Sequence, residues 1–135
     1  MANTIRLEIA TPEAMVYSED VEMVTLPGVE GQMGVLPQHV RLMTQLVPGE
    51  LIVHKDGHDN FMAVGDGLVE VTGQRVSIVT NMAIAAEKID EAVAEEARQR
   101  ASARLCEKIS SEEVASVNAS LARSLAQLRV KRRHH

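Results

Sequence analysis

The sequence predicts an α+β protein in two parts: an antiparallel β-sandwich or flattened barrel over residues 1–86, then an antiparallel two-helix hairpin over 87–135. Three observations carry this. All eight Gly and all four Pro precede Ala83, so every strong turn signal lies in the first part. Short apolar/polar alternations recur there with turns about every 8–12 residues, and no helix-length segment separates them, which argues against a parallel α/β sheet. From about Ala85–Glu87 onward, Ala, Glu and Arg take over in a helical rhythm.

Along the first part the period is two. Ile5, Leu7 and Ile9 alternate with Arg6 and Glu8 as in a half-buried strand. Val21–Leu26 is expected to form a second strand, closed by Pro27-Gly28. Leu51–His54 and Phe61–Val64 flank Lys55-Asp56-Gly57-His58, where Asp-Gly favours a tight hairpin because Gly accepts positive φ without steric cost. Leu68–Val71 and Val76–Val79 flank Thr72-Gly73-Gln74-Arg75, a further hairpin.

In the second part, Asp90 is placed to cap the first helix. Glu91, Glu95 and Glu96 come early and Arg98, Arg100, Arg104 and Lys108 late, as the helix dipole prefers. Ser110 and Glu113 have capping-box spacing and start a second helix. The expected seam pairs Ile89, Val93, Ala97, Ala101 and Leu105 with Val114, Val117, Leu121, Leu125 and Leu128. Alanine buries little apolar area, so this seam is thin. It suits either a hairpin that separates from its surroundings or one packed permanently on the sandwich.

Composition excludes several functions. Only Tyr17 and Phe61 are aromatic and Trp is absent, so the core must be aliphatic, and no stacking residues accompany the basic ones. With a net charge of −5, a generic nucleic-acid surface is not expected. No apolar run approaches a membrane span and the N-terminus has no secretion-signal pattern. The single Cys106 points to a reducing, intracellular compartment. His54 and His58, with Asp56 or Asp59, offer a metal site in principle, although exposed hairpin polarity explains them more simply. His39 has no nucleophile in a recognisable setting, and Cys106 is expected to pack on the first helix rather than to do redox chemistry. His134 and His135 follow Lys131-Arg132-Arg133; they read as a native basic tail or as a purification-tag remnant, with no assigned function.

The most distinctive stretch is Leu26–Val40, with Gly28, Gly31 and Gly34, then Val35-Leu36-Pro37-Gln38-His39. It lacks the Gly-Lys-Ser/Thr ending of a nucleoside-triphosphate P-loop. This pattern resembles the epsilon subunit of F-type ATP synthases, called delta in mitochondria. The resemblance extends over the chain through Thr11-Pro12-Glu13, Val16–Val24, Gly65–Val71 (with Asp66 where Gly is commoner), Ile89-Asp90-Glu91-Ala92 and Leu125–Val130.

The resemblance implies a ten-stranded sandwich and a two-helix domain with no catalytic residues. It implies a rotor subunit of the proton-translocating complex, bound to the gamma subunit and the c ring, whose helices inhibit ATP hydrolysis by reaching the alpha and beta subunits of the head. Its place would be peripheral, at the cytoplasmic face of a bacterial inner membrane. Residues Gly28–Gly34, with Glu30, Gly31 and Gln32 near the tip and His39 beyond, would contact the c ring and stalk. Met15, Met43 and Met62 are expected on an apolar face toward gamma. Arg98, Arg100, Arg104, Lys108, Arg123 and Arg129 would form a regulatory basic face toward an acidic segment of beta. Some bacterial members bind ATP on the folded hairpin through Ile/Leu-Asp-x-x-Arg-Ala and further arginines. Ile89, Asp90, Ala94, Arg100 and Arg123 match, but Val93 and Gln127 stand where Arg is expected, so ATP binding should be weak or absent and no other cofactor is expected. The alternative is a free-standing adaptor or nucleotide sensor of the same architecture; a metal hydrolase is more distant still.

Overall fold

A computed structural model describes residues 3–38 and 41–134. Ten strands come first: β1 (Ile5–Ala10), β2 (Met15–Val21), β3 (Met23–Gly28), β4 (Gly31–Val35), β5 (Leu42–Leu46), β6 (Gly49–Lys55), β7 (His58–Val64), β8 (Gly67–Val71), β9 (Arg75–Thr80) and β10 (Ala83–Ala85). A 3-10 turn over Ala86–Lys88 leads into α1 (Glu91–Leu105) and α2 (Ser111–Arg133).

The strands follow the order β10-β7-β6-β3-β5-β8-β9-β1-β2, with β4 pairing β3 alone. All pairs are antiparallel except β1 with β9, which is parallel. The sheet curls until Glu22 N–H donates to the His54 carbonyl at 2.8 Å, bringing the end of β2 to β6. Ile5, Leu7 and Ile9 point inward from β1 and meet Val24, Leu26, Leu46, Leu51, Val53, Val69, Val71, Val76 and Ile78 in one aliphatic core. Outward, Arg6 donates to Ser18 Oγ at 2.8 Å and Glu8 lies 3.6 Å from Arg75, so the alternation separates core from solvated ion pairs.

Both expected hairpins are present. At the β6–β7 turn Asp56 and Gly57 take φ of 54° and 76°, the pair of positive values that a two-residue turn matched to strand twist requires. The Val21–Leu26 run is two strands, because Glu22 breaks the pairing and points its carboxylate at Gly57 N–H, 3.3 Å away. The glycine-spaced segment after Leu26 is a hairpin rather than an open connection. β3 and β4 pair from Val24–Val35 to Gly28–Gly31, leaving Val29 and Glu30 as the turn.

The helix caps form as the sequence indicates. Asp90 Oδ1 accepts from Ala92 and Val93 N–H at 3.0 and 3.3 Å, and Ser110 Oγ accepts from Glu113 N–H at 3.2 Å. The seam differs from the expected stripe. Ala94 and Ala101 of α1 and Ser124, Ala126, Leu128 and Val130 of α2 are buried, whereas Val93 is 57% exposed and Leu125 is exposed. Small residues let the helices approach closely, and α1 turns Ala94 and Ala101 inward in place of Val93. It is α2 that packs on β6, β7 and the 3-10 turn; α1 packs on α2.

Charge reinforces the hairpin. Glu95 takes a two-point hydrogen bond from Arg98, at 3.0 Å from Nε and 2.6 Å from Nη2, with Arg132 of α2 at 3.6 Å. The Arg98 hydrogen bond, reinforced by the charges of Arg98 and Arg132, holds the Glu95 pKa down at about 2. A depressed carboxylate contributes stability above its unfolded-state pKa and loses it as pH falls through the folded value. The Glu95 side-chain NMR titration is therefore expected to have its midpoint near 2. In Arg98→Ala it should return toward the ordinary carboxylate range; an unchanged midpoint would show that Arg98 is not the cause.

Candidate functional site

The tip of the β3–β4 hairpin carries Glu30, exposed in its turn, Gly31 at φ 121° and Gln32 on β4 opposite Pro27. That φ lies in a region L side chains rarely adopt, so glycine at 31 is what permits this turn. Gly31 and Gln32 line a cleft of about 270 Å³ with Pro27, Glu50, Arg129 and Arg133. The sequence placed Gln32 and Arg129 in separate functional groups; folding puts them on one cleft. His39 lies outside the described residues.

An apolar row crosses the outer face of four strands. Leu68 on β8 pairs with Val79 on β9, Val79 with Ala10 on β1, and Ala10 with Met15 on β2. Leu68, Val79 and Met15 are exposed, and Met43 on β5 is exposed beside them, its neighbour Gln45 pairing with Leu68. Met62 is not part of this face: it is 5% exposed, in the sandwich core. Its position on β7 opposite Leu51 gives it inward parity, which a list of methionines does not reveal.

The six basic helix residues divide. Arg98 is held by Glu95, and Arg104 donates to Glu107 and Glu113 at 2.8 and 2.6 Å, joining the end of α1 to the start of α2. Those hydrogen bonds, Glu107's first, raise the Arg104 pKa further. Lys108 is exposed between the helices, Arg129 is exposed at the cleft beside Gln32, and Arg123 is half-buried over Gly65, its Cγ 3.4 Å from where a Cβ there would lie. Arg100 lines a separate cleft of about 260 Å³ with Arg104, Ala101 and Val117.

The residues matching an ATP motif do not converge on one cleft. Ile89 is buried against Ala63, Ala86 and Val130, Ala94 is in the helix seam, and the Asp90 carboxylate caps α1. Val93 faces solvent, correcting the expectation that it faces the partner helix; position 93 is open to a ligand, and valine brings no donor to it.

His54 Nδ1 lies 2.6 Å from Asp59 and its Nε2 lies 3.2 Å from Thr25 Oγ1, while His58 is exposed. No three His, Cys, Asp or Glu side chains converge as metal ligands among the described residues. Cys106 follows α1 as its C-cap and is exposed rather than packed on the helix. A cleft of about 680 Å³ lies between the free edges of β2 and β10, lined by Tyr17, Val53, Phe61, Met62 and Ile84 within a charged rim. Burial there raises the Tyr17 pKa.

One cluster was absent from the sequence reading. His134, left without a function there, stacks on Phe61 with centroids 3.6 Å apart and planes at 7°, and its Nε2 lies 2.5 Å from Glu50 Oε2. The only sequence signal was that Phe61 is the sole Phe; nothing local links it to a residue more than seventy positions away.

Comparison with known proteins agrees with this architecture. Residues 4–86 match the beta-sandwich domain of the ATP synthase delta/epsilon chain, and residues 87–132 its long alpha-helix domain. An ATP synthase epsilon chain of Herpetosiphon aurantiacus is 42% identical over 126 residues, 93% of each chain. That of Chloroflexus aggregans is 42% identical over 130 residues, 96% of this chain and 94% of its own. A chain of the Euglena gracilis mitochondrial ATP synthase, in an OSCP/F1/c-ring structure, superposes with a TM-score of 0.77 at 25% identity, over 96% of this chain and 81% of that one. From the sandwich to the end of α2, then, the chain belongs to the ATP synthase delta/epsilon chain family, as an epsilon-type, non-catalytic subunit.

Proposed function

We propose that this subunit sits in the central stalk of an F-type ATP synthase, joins the gamma subunit to the c ring through its sandwich, and restrains ATP hydrolysis through its helices. The observation that carries this is the division of the molecule. A rigid sandwich displays two separate outward surfaces, and a helical hairpin packs on it mainly through α2. The related Euglena chain belongs to a structure described as OSCP/F1/c-ring, which supports the same setting. No helix of the described residues is long and apolar enough to cross a membrane, so attachment to the membrane runs through the complex, at the cytoplasmic face in a bacterium.

The row of Met43, Leu68, Val79 and Met15 is the surface assigned to gamma. A contiguous exposed apolar patch favours a protein partner over water. Glu30, Gly31 and Gln32 are assigned to the polar loops of the c ring, which a narrow polar tip can meet without burying an unpaired charge. In the assembled complex, a cysteine at position 32 is expected to cross-link to c and one at position 68 to gamma. Cross-links from both positions only to head subunits would sink these assignments.

The basic helix face is assigned to the alpha and beta subunits of the head. Arg98 and Arg104 are already paired within the folded hairpin, so Arg123 and Arg129 are the cations with most to gain from an acidic partner. Removing residues 87–135 is expected to raise ATP hydrolysis by the reconstituted complex severalfold. Reversing Arg123 and Arg129 to Glu should reproduce most of that rise with stalk assembly intact. Hydrolysis unchanged by the deletion would refute inhibition.

ATP is proposed to bind this hairpin weakly or not at all, because Asp90 is engaged as a cap and position 93 lacks a guanidinium. Calorimetric titration of the isolated chain should give no saturable heat at micromolar ATP; tight binding abolished in Asp90→Ala would contradict this. The free-standing adaptor reading has no specific observation in its favour.

A further inference from the structure

We infer that the last turn of α2 is a releasable clasp, in which Arg133 and His134 grip the buried carboxylate of Glu50 and so set how readily the helical hairpin leaves the sandwich. This rests on the reading above, that the hairpin moves. The Glu50 side chain on β6 is only 7% exposed. Its Oε1 lies 3.4 Å from Arg133 Nη1, and its Oε2 lies 2.5 Å from His134 Nε2. A carboxylate withdrawn from water needs charged or hydrogen-bonding partners, and among the described residues the side-chain partners of this one are Arg133, the last residue of α2, and His134, its C-cap. The His134 imidazole is fixed in turn by its face-to-face stack on Phe61 of β7.

The neighbouring residues of the same turn are tied in other directions. Lys131 donates to the Ala86 carbonyl at 3.4 Å, in the 3-10 turn. Arg132 lies 2.8 Å from Glu91 and 3.6 Å from Glu95, both on α1. Successive helical residues are about 100° apart, so Lys131, Arg132 and Arg133 point in three different directions, and His134 follows as the C-cap. One turn is thereby tethered to the sandwich, the connecting segment and α1 together. Between the helices the buried small residues Ala94, Ala101 and Ser124 contribute little apolar area. The side-chain tethers from Gln127, Lys131, Arg133 and His134 to Met82, Ala86 and Glu50 all lie at the end of α2, and separation of the hairpin must break them.

Hydrogen exchange of the isolated full-length chain tests the clasp, using Glu50→Gln, His134→Ala and the double variant. Each single variant is expected to speed exchange of the α2 amides between 124 and 133 at least threefold, with amides of β1 and β9 unchanged. The double variant should exceed the larger single effect little, because both break one contact. Unchanged α2 exchange in His134→Ala, or two effects that multiply, would overturn the proposal. His134→Ala removes a side chain after the end of α2, so it keeps the test valid even if Glu50→Gln disturbs the sandwich. Exchange in the isolated chain reports on the clasp alone, while hydrolysis by the complex lacking residues 87–135 reports on inhibition, so failure of either is recognised separately.

Discussion

The helical half of the molecule depends on one contact: the insertion of Val130, from the end of α2, among Ala63, Ala86 and Ile89, with Phe61, Met82 and Ile84 around them. Val130 is fully buried there, and Gln127 one turn earlier donates toward Met82 Sδ at 3.0 Å. α1 has no comparable docking of its own and is carried by α2. A body held through one end of one helix can leave as a unit, with both helices intact, because separation exposes a small apolar cluster rather than the whole core. The ionic contacts of Lys131 to His134 surround this apolar centre and restrict the angle at which α2 approaches.

The sandwich obeys a different constraint. Its core is aliphatic and continuous, drawn from nine of the strands, and the parallel pairing of β1 with β9 ties the first strand to the last hairpin. Contacts between positions this far apart in sequence are slow to form and, once made, bind the strands into a single cooperative body. Such a body can display apolar side chains outward without distorting. The Leu68–Val79–Ala10–Met15 row leaves apolar area in water that the proposed docking on gamma would cover.

The two halves meet where the proposed functions also meet. The cleft between the β3–β4 tip and α2 contains Gln32, Glu50, Arg129 and Arg133, so a partner at the hairpin tip lies beside the residues that secure the helix. Rotor docking and helix release would then involve adjoining side chains rather than distant ones. The guanidiniums of Arg98 and Arg104 behave differently, being consumed by carboxylates of the hairpin itself, so they stabilise the folded helices before they can engage anything else.

The sequence by itself determined the local structure. Alternation at Ile5–Ile9 placed a strand, Asp56-Gly57 placed a two-residue turn, Asp90 and Ser110-Glu113 placed the helix starts, and the loss of Gly and Pro marked where strands give way to helices. Each signal acts within a few residues, through backbone dihedrals or the first turn's unpaired amides, and so is legible without a fold. Tertiary structure decided everything that depends on parity or packing across the chain. It split Val21–Leu26 at Glu22, turned Met62 inward and Val93 outward, and aligned Leu68 with Val79 and Ala10. It also brought His134 onto Phe61 and Glu50, eighty-four positions apart in the last case, because a buried carboxylate finds its partners in space and not along the sequence.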